Sequence, residues 1–75
     1  MSVNMLWKVI YDFQDSNKKQ KWDGQQSATV IAADNKEDTI RSVLTSNNVG
    51  RPGATINIVH VSRAMVPGGG DNVLS

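Results

Sequence analysis

Met5-Leu6-Trp7-Lys8-Val9-Ile10-Tyr11-Asp12-Phe13 decides the fold. Every odd position in this stretch is apolar or aromatic, while Lys8 and Asp12 fall on even positions. Such a period of two marks a β-strand with one buried face. The even positions also carry Leu6 and Ile10, so the second face is half apolar. A strand rich in apolar residues on one side and partly apolar on the other belongs at the centre of a sheet.

Working outward, Met1 to Asn4 leads into this strand. Beyond it, Gln14 to Gln26 is polar and holds two turn signals, Asp15-Ser16-Asn17 and Asp23-Gly24. A turn at Ser16-Asn17 would make Gly24 a bulge, and a turn at Asp23-Gly24 would lengthen the first strand. The first arrangement is preferred. Ser27 to Ala33 is predicted to be the second strand, since Thr29, Val30 and Ile31 are β-branched and no Gly or Pro interrupts them. The two strands then form an antiparallel hairpin. At Asp34-Asn35-Lys36-Glu37 the period changes: Asp34 with Glu37 three residues on has capping-box spacing, and Ile40, Val43 and Leu44 form a stripe at i, i+3 and i+4. A helix of about three turns is expected, ending at Asn47-Asn48, where either residue tolerates a left-handed cap. Gly50-Arg51-Pro52-Gly53 is a loop, and Ala54 to Val61 is the third strand. Ala64 to Ser75, with Gly68-Gly69-Gly70, shows no period and is predicted to be a flexible tail following a single domain over residues 1–63.

The order is ββαβ. A right-handed crossover through the helix places strand three on the far side of strand one. The fold class that follows is α+β: a small ββαβ domain whose three-stranded antiparallel sheet, of order 2-1-3, carries one helix on one face. This is half of a ferredoxin-like unit or a β-grasp core lacking its last strands. The stretch Glu37-Asp38-Thr39-Ile40 resembles the helix start of ubiquitin-like folds.

Composition bounds the function. The chain has 75 residues, no cysteine and a net charge of +1, so no disulfide or thiolate metal site staples it, and bulk charge does not point to nucleic acid or membrane. Its opening residues lack the pattern of a secretory signal, and no apolar run reaches the length of a membrane span, so a cytoplasmic protein is expected. One His, one Glu and six scattered Asp offer neither a catalytic constellation nor metal-ligand spacing. Gly68 to Gly70 has no strand before it and no helix after it, so it is not a phosphate loop. The expectation is a non-enzyme without cofactor or metal.

Two surfaces are candidates for binding. The uncovered face of the sheet should carry Leu6, Ile10, Ile31 and one pair from strand three. That pair is either Ile56 and Ile58 or Val59 and Val61, with Val59 and Val61 taken as the interface pair, unless a bulge at Val59-His60 rotates one of them. An apolar face of this kind marks a protein partner, so a protein-interaction role is the leading expectation, with a homodimer as one form of it. The alternative is single-stranded nucleic acid on the hairpin, where Lys18, Lys19 and Lys21 lie beside the aromatic plane of Trp22. A small, catalytically empty domain of this sort resembles, in type, the accessory proteins of phages and mobile elements, which work by binding.

Overall fold

A computed structural model describes residues 4–15, 24–65 and 73–75. The elements are β1 (Met5–Asp15), β2 (Gln26–Ala32), α1 (Glu37–Ser46), β3 (Ala54–Arg63) and β4 (Val73–Leu74). The sheet order is β3-β1-β2-β4. β1 is central and antiparallel to both β2 and β3, so the predicted 2-1-3 core is present. β2 and β3 therefore run parallel to each other, joined through α1.

The odd residues of β1 build the core. Trp7, Val9, Tyr11 and Phe13 are buried, as are their cross-strand neighbours Ala28, Val30, Ala32 and Ile56. Ile40 and Leu44 of α1 are fully buried against them, with Val43 partly so. Alanines at 28 and 32, on either side of Val30, leave room for the helix to lie close to the sheet. Both ends of the aromatic row are lidded by cations. The Arg63 guanidinium sits 5.5 Å from the Trp7 ring centre, and that of Arg51 sits 5.0 Å from Phe13. Phe13 in turn meets Tyr11 edge-to-face at 5.8 Å. The Trp7 indole donates to the Ala32 carbonyl at 3.1 Å, so its polar edge is satisfied where the ring is buried.

The structure differs from expectation at three places. First, Val73–Leu74 is not part of a loose tail; it is a fourth strand, parallel to β2 and paired Thr29 to Val73 and Val30 to Leu74. Leu74 packs on the core, and the Asn47 side-chain amide donates to the Ser75 carbonyl at 3.1 Å. Two residues are too few to display a period, so their strand character depends wholly on the edge that β2 offers. Residues 66–72 of the expected tail, including Gly68 to Gly70, lie outside the described residues.

Second, the helix begins at Glu37 and its boundary residue is Lys36, without a side-chain cap, in place of the expected Asp34. Asp34 acts two residues earlier. Its carboxylate accepts from the Lys36 amide at 3.0 Å and from the Thr39 side chain. The Thr39 bond first, then the Lys36 amide, hold its acidity stronger than usual. Glu37 does not reach back to close a capping box; it faces Arg41 at 3.9 Å. The other end of the helix matches the sequence. Asn48 is left-handed at φ 63°, the Asn48 amide bonds to Thr45, and the Val49 amide bonds to Leu44. This is a Schellman closure, with Val49 packed on the core.

Third, β3 is bulged. Tyr11 pairs with Ile58 but Ile10 pairs with His60, so Val59 is an extra residue. Before it, Ile56 and Ile58 face the helix side opposite Phe13 and Tyr11. After it, Val61 faces the same side, opposite Val9.

Candidate protein interface

The bulge decides the composition of the face turned away from α1. Strand alternation puts Val59 opposite in sense to Ile58, and His60 sits across from Ile10, so both residues of the bulge lie on the open side. Val61 does not. Its expected place on the open face is corrected by the extra residue, which turns it inward to pack on the core. The remaining predicted residues all lie on this face. Leu6 pairs directly with Ile31, and Ile10 lies two residues along β1 from Lys8 with Ser27 and His60 on either side. Leu6, Ile10 and Ile31 are half-buried, and Val59 is 43% exposed. β4 adds a residue that sequence reasoning missed: Val73, 45% exposed, stands beside Thr29 on this face. Only the pairing of β4 with β2 reveals it.

Polar groups interleave with these aliphatics. Along β1 the open side runs Leu6, Lys8, Ile10, Asp12, Gln14, and β3 contributes Thr55, Asn57, His60 and Ser62. Two polar atoms on this face are shut off from solvent without a hydrogen bond, Asp12 Oδ1 and Thr29 Oγ1. Thr29 is only 1% exposed. An unsatisfied carboxylate oxygen is the costlier of the two, because its charge makes the missing donor worth more.

The concave places elsewhere do not gather chemistry. A shallow hollow of about 280 Å³ lies between the end of α1 and the start of β3, lined by Arg41, Thr45, Val49, Arg51 and Ile56 among others. Arg41 is already engaged there: its Nε donates to the Ile56 carbonyl at 3.1 Å, and its terminal nitrogens lie 3.4 Å from Asp38 and 3.9 Å from Glu37. Among the described residues no three His, Asp or Glu side chains cluster, and no helix is long and apolar enough to cross a membrane. Lys18, Lys19, Lys21 and Trp22, the expected nucleic-acid contacts, lie outside the described residues. No family model, curated protein or solved structure matches the chain.

Proposed function

We propose that this domain is a non-enzymatic protein-interaction module that associates with a second copy of itself through the open face of its sheet. The observation that carries the reading is the set Leu6, Ile10, Ile31, Val59 and Val73: five aliphatic side chains on the side away from α1, none of them fully buried. A sheet that packs on one side only normally shows water a polar face. Fully burying an aliphatic side chain contributes about 1.5–3 kcal/mol relative to exposure; Leu6, Ile10 and Ile31 have about a third of that or less still to gain, and Val59 and Val73 a little under half. Association itself costs about 4–15 kcal/mol. The balance supports a weak dimer.

Sedimentation velocity from about 10 µM to about 1 mM, a range that brackets weak association, tests this. The wild type should shift from monomer to dimer as concentration rises. Ile10→Lys should remain monomeric throughout while its circular dichroism and thermal midpoint stay near wild type, because the core of Trp7, Val9 and Tyr11 lies on the other face. A wild type that stays monomeric across the range would retire self-association.

A further inference from the structure

The open side of β1 has a charge pattern with its own symmetry. Ile10 stands midway between Lys8 and Asp12, so an apolar residue has a cation two positions before it and an anion two positions after. Neither charge takes part in an ion pair among the described residues. Lys8 is exposed, but Asp12 keeps Oδ1 away from solvent with no donor. Within the chain, Lys8 cannot supply that donor. The two residues are four apart on an extended strand, roughly 13 Å at about 3.3 Å per residue.

We infer that the countercharge each of them lacks comes from a second copy of the chain. Resting on the self-association proposed above, the inference fixes its geometry: a two-fold axis passes at Ile10 and runs the two β1 strands antiparallel, face to face. Lys8 of each copy then meets Asp12 of the other, and the two Ile10 side chains meet at the centre. An isologous interface requires a surface complementary to itself, and a cation and an anion placed evenly about an apolar residue satisfy that requirement. Packed sheets lie about 10 Å apart, a gap that a lysine and an aspartate span from opposite sides. The two-fold arrangement thus sets the partly exposed Asp12 carboxylate, and the exposed Lys8, against an opposite charge that neither has in the single chain. Val59, beside Ile10 on β3, extends the apolar centre toward one edge.

Charge exchange tests this arrangement. Lys8→Asp alone and Asp12→Lys alone should each weaken self-association by about tenfold or more, since each places like charges together in both contacts. Mixed in equal amounts, the doubly acidic and doubly basic chains should form a heterodimer at about wild-type strength, because both contacts then join opposite charges. Lys36→Asp mixed with Asp38→Lys carries the same net charges at the exposed start of α1 and should gain nothing on mixing. If Asp12→Lys fails to fold, Asp12→Asn replaces it, and its mixture with Lys8→Asp should still bind more tightly than Lys8→Asp alone through one restored attraction. A wild type that dimerises while the exchanged pair gains no more than the helix control overturns the two-fold arrangement and leaves the interaction reading standing. A wild type that never dimerises overturns both.

Discussion

The two faces of this sheet are made from the same three long strands, yet they differ in nearly every physical respect. On the helix side Trp7, Val9, Tyr11 and Phe13 are each less than a tenth exposed, and Ile40 and Leu44 close over them without leaving solvent access. On the open side Leu6, Ile10 and Ile31 remain half-buried, with Lys8 and Asp12 between them. The lesson is that parity assigns roles here: a side chain belongs to the core or to the surface according to which pleat it occupies. The bulge at Val59 shows how sharply this acts. One extra residue lets Ile56, Ile58 and Val61 all face the helix, although unbroken alternation would have divided them.

The severest way to break the comparison is to place one substitution on adjacent residues of opposite parity. Val9→Lys should unfold the domain, because an unpaired charge at a position with no solvent exposure costs several kcal/mol, a large share of the stability of so small a fold. Ile10→Lys should leave it folded. Urea titration of the two variants checks this, and similar midpoints would show that the faces are not distinct. A milder perturbation acts on the helix that makes the faces unlike. Asn48→Ala forces a side chain with a poor left-handed preference into φ 63° and should cost about 1–2 kcal/mol, while Asn48→Gly should be neutral or stabilising. Thermal denaturation of both variants is the measurement.

The smallest effect concerns ionisation on the buried side. Burial pushes the Tyr11 hydroxyl above its ordinary value of 10.0, with Arg51 pulling weakly the other way. The neutral phenol is therefore favoured in the folded state. Its contribution is fully present below pH 10 and is lost as pH rises through the folded-state value. Tyr11→Phe should flatten the fall in stability above about pH 10 without affecting it near neutrality. Unfolding curves from pH 7 to 11 would reveal this, and an unchanged alkaline limb would place the loss elsewhere.

What the sequence disclosed follows the range of the interactions involved. The alternation of Met5 to Phe13, the stripe of Ile40, Val43 and Leu44, and the left-handed closure at Asn48 are local patterns, and the structure contains each. The same alternation puts Leu6, Ile10 and Ile31 on the open face. Val61 is misplaced by the sequence, because strict alternation keeps it on the side of Val59 and only the extra residue in the register against β1 separates them. Val73 and Leu74 gave no signal, since a two-residue strand exists only through the backbone of β2. Asp34 has the right chemistry for a cap but bonds to Lys36 and Thr39 from outside the first turn, a choice made by backbone geometry.

The side-chain bond from Arg41 to the Ile56 carbonyl bears on how large any assembly can become. Ala64 donates to Leu6, and with the register between β1 and β3 this turns the backbone groups of Ile56 outward, along the free rim of the sheet. From Ala54 to Ser62 that rim has no lysine, arginine or carboxylate, a composition suited to endless templated stacking of chain on chain. The guanidinium occupies one of the acceptors a recruited strand needs, and the kink at Val59 spoils the line of those beyond it. Growth along this rim is thereby obstructed, so any assembly through the open face would not be extended into a fibre from this edge.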